Sequence, residues 1–310
     1  MSKSDMGSVR RLATSGPFHW IRGARVEGSG NTFMDNVEPR SGSILSQIRI
    51  ASQEDVNEAV KAAKEAFPTW KSLPSMERGN ILRKTAGILR ERIEEIAMMD
   101  VIDNGKPIWE ARLDMESVLG ALEYYGAYAN NGFQGEYYKL PGGSFAYVTK
   151  EPIGLVAGIG AWNYPLQTAT WKVAPALASG NTFIYKPSQF TPLTVLYLAE
   201  ALKEAGLPDG VFNILQGEGE TGSLLCSHPE VSKLSFTGSV TTGTKIMKAG
   251  AEGIRHVTLE LGGKSPLIIF EDADLKNAVK GALMANSSLR DRSALMELGS
   301  LFRRVYMISS

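Results

Sequence analysis

Cysteine and histidine are scarce in this 310-residue chain, which has one cysteine and three histidines. The single thiol, Cys226, cannot form an intrachain disulfide, which is typical of proteins from a reducing compartment. The histidines, His19, His228 and His256, do not stand at metal-ligand spacings. The sequence therefore predicts a cytoplasmic protein without a metal site.

Long hydrophobic runs and an excess of one charge are also absent. No apolar run approaches the roughly 18 residues that a bilayer-spanning helix needs, so no membrane association is expected. Lys+Arg and Asp+Glu number 33 each, which leaves no electrostatic case for a nucleic-acid partner. The N-terminal stretch lacks the apolar segment of a secretory signal. Its arginines leave a mitochondrial presequence open, although Asp5 counts against it.

What the chain does contain, 43% hydrophobic residues and 32 Gly, is an ordinary profile for a globular protein. Residues 1–50 are predicted to form an arm with short strands near 21–26 and 44–50. Ser52 and Asp55 stand at the spacing of a capping box and open a helical part over 51–135. There, a long helix through 81–97 is expected to stop near Asn104-Gly105, and another is expected over 108–128. Pro141-Gly142-Gly143 joins two strand-like runs, which predicts a hairpin over 136–150.

From residue 151 onwards, short apolar runs alternate with helical segments. Strands are predicted over 155–159, 182–185, 211–215, 233–236, 257–261 and 267–270. Helices are predicted between them, over 165–177, 192–205, 221–226, 242–249 and 275–284. This repetition predicts an α/β fold over 151–262: a doubly wound, mostly parallel Rossmann-like sheet with helices on both faces. Ligands of such sheets bind beyond the carboxyl ends of the strands.

Glu260 is the carboxylate best placed for chemistry. It lies among apolar residues at the end of a predicted strand, just before Gly262-Gly263. Apolar surroundings disfavour the charged form of a carboxyl group, raise its pKa and suit it to act as a general base. The alternative, an ordinary charge pair with a nearby Lys or Arg, is open at this point.

Two further strand ends have polar residues. Asn163 stands between the first strand and a helix that starts at Pro165, where its amide could donate a hydrogen bond to a developing oxyanion. A plain N-cap or turn role is the alternative. Lys186 and Ser188 follow the second strand and could contact ribose or phosphate oxygens, although a lone lysine at such a position is commonly a solvated surface charge.

Two glycine-rich turns compete for cofactor phosphates. The turn over 217–222 is a literal G-x-G-x-x-G, but its two glutamates would repel a pyrophosphate. The turn over 236–243 has no acid and presents hydroxyl groups at a helix N-terminus, which makes it the better anion site. The first turn is then left to the adenine end of a cofactor or to packing. Cys226, in an apolar helical run, is expected to have a packing role.

These residues resemble the aldehyde dehydrogenase superfamily over about residues 20–286. The motifs that carry the likeness are Ala161-Trp162-Asn163-Tyr164-Pro165, Lys186-Pro187-Ser188, Phe236-Thr237-Gly238-Ser239 with Gly243, and Leu259-Glu260-Leu261-Gly262-Gly263-Lys264. Within the family the chain looks most like the branch that handles betaine aldehyde and 4-trimethylaminobutyraldehyde. The resemblance implies a small-molecule aldehyde as substrate, NAD as cofactor and homo-oligomeric assembly.

The resemblance also implies roles for individual residues. Asn163 would hold the oxyanion, and Glu260 would activate water against a thioester intermediate. Tyr164 and Trp171 would cage a trimethylammonium group, with two core aromatics as the alternative. Gln189 stands where the family often has a Glu that opposes NADP, so preference for NAD is less secure. The cofactor would contact Ile159, Gly160, Ala161, Trp162, Lys186, Ser188, Gln189, Gly219, Gly222, Phe236, Thr237, Gly238, Ser239, Thr242, Gly243 and Leu261.

The likeness stops after Asn286. Residues 263–286 resemble the start of the family's catalytic domain, but the family's nucleophilic Cys would fall near position 294, where this sequence has Ala294 within a divergent tail over 287–310. A splice form or a frameshifted gene model would each produce this pattern, which also lacks the strand that would join the 136–150 hairpin in oligomers. Three hypotheses follow: a working dehydrogenase, an inactive chain that binds NAD or associates with other subunits, and an unstable fragment. Absence of the nucleophile favours inactivity.

Overall fold

The computed structural model describes residues 9–10, 12–264 and 267–287. The strands are β1 (His19–Ile21), β2 (Ala24–Val26), β3 (Phe33–Val37), β4 (Ile44–Arg49), β5 (Glu136–Lys139), β6 (Phe145–Val148), β7 (Leu155–Ile159), β8 (Thr182–Lys186), β9 (Phe212–Ile214), β10 (Val231–Gly238) and β11 (His256–Leu261). The helices are α1 (Gln53–Ser72), α2 (Ser75–Glu91), α3 (Ile93–Asn104), α4 (Ile108–Asn131), α5 (Pro165–Ala178), α6 (Val195–Glu204), α7 (Gly219–Ser227), α8 (Val240–Glu252) and α9 (Leu275–Ser287).

A seven-stranded sheet in the order β11-β10-β7-β8-β9-β1-β2 forms the centre of the molecule. The pairs from β11 to β9 are parallel, and the two pairs that add β1 and β2 are antiparallel. The chain runs from β7 through β8 to β9 in one direction and then adds β10 and β11 on the other side of β7. The strand order therefore reverses between β7 and β10, which is the point where such sheets bind ligands.

Helices cover both faces of this sheet, as the alternation of buried side chains along β7 and β8 shows. Val156 and Phe183 belong to one apolar cluster, together with residues of α2, α4, α5 and α6. Leu155 and Ile184 belong to a second cluster, together with residues of α1, α7 and α8. Because successive side chains of a strand point to opposite faces, this division confirms the predicted doubly wound α/β fold.

Local signals account for two of the helix boundaries, the start of α1 and the end of α3. Ser52 accepts hydrogen bonds from the backbone N–H groups of Glu54 and Asp55, and the Asp55 carboxylate accepts one from Ser52 N, so the predicted capping box opens α1. Gly105 adopts a left-handed conformation (φ 80°) directly after α3, which is the common way to end a helix. The predicted hairpin is also confirmed, with β5 and β6 paired antiparallel.

Three predictions about elements were wrong. The long helix through 81–97 divides at Arg92 into α2 and α3. The strand near 21–26 is two strands, because Arg22 and Gly23 turn the chain with positive φ values of 53° and 72°. Residues 267–270 do not form a strand; Ile268 and Phe270 are 67% and 73% exposed, and no described strand lies beside them to pair with.

Of the predicted tail over 287–310, Ser287 ends α9 and residues 288–310 lie outside the described residues. Within the described part of the chain, no helix is both long enough and apolar enough to cross a bilayer.

Candidate functional site

The registers of the parallel strands place the predicted site residues on one edge of the sheet. Ile159 at the end of β7 pairs with Lys186 of β8 on one side and with Phe236 of β10 on the other. Gly238, at the end of β10, pairs with Leu261 at the end of β11. Four segments that are far apart in the sequence therefore end together at the switch point.

The loop after β7 (residues 160–164, the β7–α5 loop) carries Asn163. Gly160 N donates to Lys186 O at 3.1 Å, and a Cβ at Gly160 would collide with the Tyr185 hydroxyl, so only glycine fits there. Asn163 is half-buried, and α5 begins two residues later at Pro165. The loop thus places Asn163 between the end of β7 and the start of α5, as the sequence predicted.

Lys186 is not the solvated surface charge that the sequence left open. Its side chain is buried, and Nζ donates to Pro187 O at 2.8 Å and to Gly217 O at 2.9 Å. Burial lowers the pKa of Lys186 to about 8, against the raising effects of Cys226 and Glu218. A buried ammonium group that faces backbone carbonyls can act as a positioned donor. Ser188 and Gln189 follow it and are half-buried.

The two glycine-rich turns differ as the sequence suggested. The first leads into α7, with Glu218 and Glu220 both exposed at the helix start and Gly219 between them. Gly222 is buried one turn later, where a Cβ would lie 3.4 Å from Lys186 Cε and 3.5 Å from Ile159 Cδ1. The first turn therefore carries negative charge, while its buried glycine faces the Lys186 side chain.

The second turn leads into α8 and has no acidic residue at the helix start. Ser239 is the N-cap; its hydroxyl accepts from Thr242 N at 3.2 Å and donates to Thr242 Oγ1 at 3.0 Å. Both side chains are exposed, whereas Gly243 is buried against Leu261, whose side chain would meet a Cβ there. Backbone N–H groups and hydroxyls without a nearby carboxylate suit an anion.

Glu260 lies opposite Thr237 in the β10–β11 pairing, and its side chain is exposed among the described residues. The apolar burial that the sequence suggested for Glu260 is therefore wrong for the described part of the chain. Lys172 of α5 is buried nearby and donates from Nζ to Thr237 Oγ1 at 2.6 Å. Burial lowers the pKa of Lys172 to about 8, while the charge of Glu260 acts to raise it.

Cys226 has the packing role that its sequence context predicted. It is buried in α7, and burial raises the pKa of its thiol to about 11, despite the opposing charges of Arg255 and Lys186. A thiol with that pKa is a poor nucleophile at neutral pH.

The structure does not bring Tyr164 and Trp171 into one described cavity. The Lys106 ammonium group lies over the Tyr164 ring, 4.9 Å from its centroid, and Tyr164 lines a small cavity with Asp100 and Asp114. Trp171 is 53% exposed, donates from Nε1 to Ser117 Oγ at 3.2 Å, and borders a separate open cavity of about 460 Å³. The aromatic cage stays a prediction.

Two buried lysines at the site were missed by the sequence reasoning: Lys106 and Lys172. Lys106 forms ion pairs with Asp100 (3.1 Å) and Asp114, and Lys172 contacts Thr237 as described above. The only local signal was the position of Lys106 directly after the helix-ending Gly105, which does not reveal burial.

Known proteins resemble the chain over almost its whole length. A model described as "Aldehyde dehydrogenase family" matches residues 25–290. The 4-trimethylaminobutyraldehyde dehydrogenase of Homo sapiens is 52% identical over 280 residues, which are 90% of this chain and 56% of that protein. The Sus scrofa protein of the same name is 54% identical over 284 residues, again 90% of this chain and 56% of the relative.

Solved structures agree with this result. The NAD+ complex of an aldehyde dehydrogenase from Bacillus cereus superposes with a TM-score of 0.89 at 34% sequence identity. The match covers 97% of this chain and 64% of that one. The chain therefore spans little more than half the length of its two relatives named above and less than two thirds of this structural neighbour.

Proposed function

This chain belongs to the aldehyde dehydrogenase family, and on that premise we propose that it forms the NAD-binding part of an enzyme that oxidises an aldehyde to a carboxylate. The observation that carries the proposal is the strand register that brings Ile159, Lys186, Gly238 and Leu261 to one sheet edge at the switch point. The NAD+ complex of the Bacillus cereus relative supports the choice of cofactor.

The residues at this edge fit NAD in three respects. Lys186 Nζ uses two of its three N–H groups on carbonyls, which leaves the third for a ribose hydroxyl. The start of α8 at Ser239 offers backbone N–H groups and hydroxyls to the pyrophosphate, with no acid in its first turn. Gly222 leaves beside Ile159 and Lys186 a space that a side chain would fill. When bound, NAD supplies a hydride acceptor for aldehyde oxidation.

Two residues would act on the substrate itself. The Asn163 amide would donate a hydrogen bond to the aldehyde oxygen as it gains negative charge, an effect typically worth about 10²–10³-fold in rate. Glu260 would accept a proton from the water that hydrolyses the acyl intermediate. Lys172 donates to Thr237 Oγ1 and would attract the Glu260 carboxylate electrostatically.

The proposed substrate class is a trimethylamino-type aldehyde. The names of the Homo sapiens and Sus scrofa relatives, which exceed 50% identity, support this class. Tyr164 and Trp171 are the aromatic side chains that we propose for the cation. A reducing compartment, the cytoplasm, is proposed as the location because the one thiol is unpaired and buried.

The 310-residue chain by itself is proposed to bind NAD without turning over aldehyde. Its single thiol is the buried Cys226, so no thiolate is available to attack the aldehyde. Removing a nucleophile leaves only weak residual catalysis in enzymes that rely on one.

Calorimetric titration with NAD tests the binding half of this proposal. We expect saturable binding to the wild-type chain and an affinity about tenfold lower for Lys186→Met, because a charge-assisted donor is lost. Lys203→Met is the matched control, since Lys203 pairs with Asp209 at the surface and lies outside the proposed site. A flat titration for the wild-type chain would refute NAD binding. A parallel titration with NADP measures whether the chain, with Gln189 near the proposed ribose site, binds NADP as well as NAD.

Incubation with NAD and 4-trimethylaminobutyraldehyde tests the catalytic half. No NADH is expected at high protein concentration. Steady NADH production by the wild-type chain, lost in Asn163→Ala and Glu260→Gln, would show instead that the chain is a working dehydrogenase.

A second candidate function is association with other subunits. Every residue of β5 and β6 is exposed, and the two strands pair only with each other among the described strands. Unpaired strand edges and exposed aromatic side chains favour contact with another chain.

A further inference from the structure

We propose that Asn104 and Lys106 are positioning residues that hold the β7–α5 loop in its binding geometry by donating hydrogen bonds to two consecutive backbone carbonyl groups. Asn104 Nδ2 donates to Trp162 O at 2.6 Å, and Lys106 Nζ donates to Asn163 O at 2.9 Å. The inference rests on the proposed function, because the loop matters only if it contacts NAD and the aldehyde oxygen.

The backbone around Gly105 explains how two neighbouring donors reach the same loop. Asn104 is the last residue of α3, and Gly105 reverses the chain direction with a φ of 80°. Pro107 then restarts the chain before α4. The side chains of Asn104 and Lys106, one on each side of Gly105 in the sequence, therefore both reach the β7–α5 loop. Their acceptors, Trp162 O and Asn163 O, are also adjacent in sequence.

Lys106 is built as a permanent buried cation. It is 2% exposed, and Asp100 and Asp114 both form ion pairs with its Nζ atom. Burial alone would lower the pKa of Lys106, but the two carboxylates outweigh it and the pKa is raised. The ring of Tyr164 covers the same ammonium group. A cation held by two acids and an aromatic ring is a rigid donor, and hydrogen bonds from charged donors are stronger than neutral ones.

Fixing both carbonyls restricts the peptide planes on either side of Asn163. The Trp162 carbonyl defines the plane before Asn163, and the Asn163 carbonyl defines the plane after it. The remaining freedom of Asn163 is its side chain, which stays half-buried beside the strand ends. The two hydrogen bonds from Asn104 and Lys106 thus orient the backbone from which the Asn163 side chain extends. They also keep the segment from Ile159 to Trp162 against the proposed cofactor.

Fluorine NMR of chain labelled with 5-fluorotryptophan tests the proposal directly. The five tryptophans include Trp162 in the loop and the fully buried Trp70 away from it, and Trp162→Phe assigns the loop signal. Two variants are compared with the wild type: Asn104→Ala, and the triple variant Lys106→Met/Asp100→Asn/Asp114→Asn, which removes all three charges of the cluster. We expect both to shift or broaden the Trp162 resonance and to leave that of Trp70 unchanged. NAD affinity should fall at least fivefold in both.

Arg78→Met is the matched control. Arg78 is also a buried cation that donates to carbonyls, to Ala178 O at 3.1 Å and to Leu73 O, but it does not contact the loop. We expect it to lower the melting temperature without moving the Trp162 resonance or the NAD affinity, so a loss of general stability is distinguished from a loss of positioning.

An unchanged Trp162 resonance in Asn104→Ala, or in the triple variant, would overturn the proposal. If the triple variant does not fold, Asn104→Ala decides, because it keeps every charge in place. If the wild-type chain binds no NAD, the proposed function fails, while the fluorine signals still decide whether the two residues hold the loop.

Discussion

At the scale of single residues, burial is the largest influence on the pKa of several ionisable groups. Lys186, Cys226 and Asp103 are such groups, and all three are buried. The charged form is disfavoured in each, so the pKa of the lysine is lowered and those of the two acidic groups are raised.

Alkylation of Cys226 should be slow in the folded chain. With its pKa raised from an ordinary value of 9.0 to about 11, the thiolate fraction at pH 8 falls about 100-fold. We expect iodoacetamide to react at least 100-fold faster in urea than in buffer, as followed by mass spectrometry. Cys226→Ala supplies the unlabelled control, and equal rates in the two conditions would contradict the packing role.

Asp103→Asn should stabilise the chain in a pH-dependent way. Burial raises the pKa of Asp103 to about 7, although Leu193 N (3.0 Å) and Asn36 Nδ2 (2.9 Å) donate to its carboxylate. Between about pH 4 and pH 7 the folded chain then holds a proton that the unfolded chain releases, so this group lowers stability as pH rises through that window. The gain from Asn should grow from near zero at pH 4 to about 2–4 kcal/mol above pH 7.

Urea unfolding of both proteins across that pH range measures this gain. The new amide can face Asn36, whose buried Oδ1 has no hydrogen-bond partner within the described structure and can accept from it after the Asn36 amide rotates. Asp209→Asn is the control, because the Asp209 side chain is 59% exposed and its substitution should add no such slope. A pH-independent difference between Asp103→Asn and wild type would contradict the assignment.

At the scale of elements, the helix N-termini have two different roles in this chain. Ser52 caps α1 and serves stability alone, whereas Ser239 caps α8 at the ligand edge of the sheet. Both serines accept hydrogen bonds from backbone N–H groups of the first turn. Only the second helix start belongs to the proposed pyrophosphate site.

Ser239→Ala and Ser52→Ala should therefore separate stability from binding. Each substitution removes a cap and should cost about 1 kcal/mol of unfolding free energy. Only Ser239→Ala should also weaken NAD binding, by about fivefold, because one hydroxyl donor is lost from the anion site. Chemical denaturation and calorimetry measure the two effects. Equal NAD affinities in the two variants would argue against α8 as the pyrophosphate site.

At the scale of the whole molecule, the described chain has a sheet edge that we propose to bind NAD and an exposed hairpin that we propose to contact other subunits. One face of the hairpin presents Tyr137, Phe145 and Tyr147, each at least 60% exposed, with the Tyr137 and Phe145 rings stacked at 5.7 Å. Such an exposed aromatic patch is typical of interaction surfaces.

Tyr147→Glu should reduce self-association of the chain. A charge in the centre of the exposed aromatic face would have to be desolvated on contact with a second chain. Sedimentation velocity at several concentrations measures the effect, and we expect the wild-type chain to show larger species than the variant. Leu113→Glu is the control, because Leu113 is equally exposed (60%) but lies on α4. The same distribution for wild type and Tyr147→Glu would exclude the hairpin as the contact.

The doubly wound fold could be predicted from the sequence because its signals are local. The capping box at Ser52, the glycine after Asn104 and the short apolar runs before turns all depend on residues within a few positions of one another. The same holds for the motifs around Asn163, Lys186 and Glu260. The predicted strand over 267–270 failed because an apolar run becomes a strand only when a neighbouring strand is available to pair with it.

Which charged side chains are buried, and which atoms they contact, could be learned only from the tertiary structure. Lys106 reaches the Asn163 carbonyl across 57 positions of sequence, and Lys172 reaches Thr237 across 65. No local pattern distinguishes such lysines from solvated ones, since their environment is built by segments that meet only when the sheet forms. The chain's motifs indicate where cofactor chemistry belongs. The tertiary placement of Lys106, in the turn between α3 and α4, and of Lys172 on α5 decides which charges contact those residues.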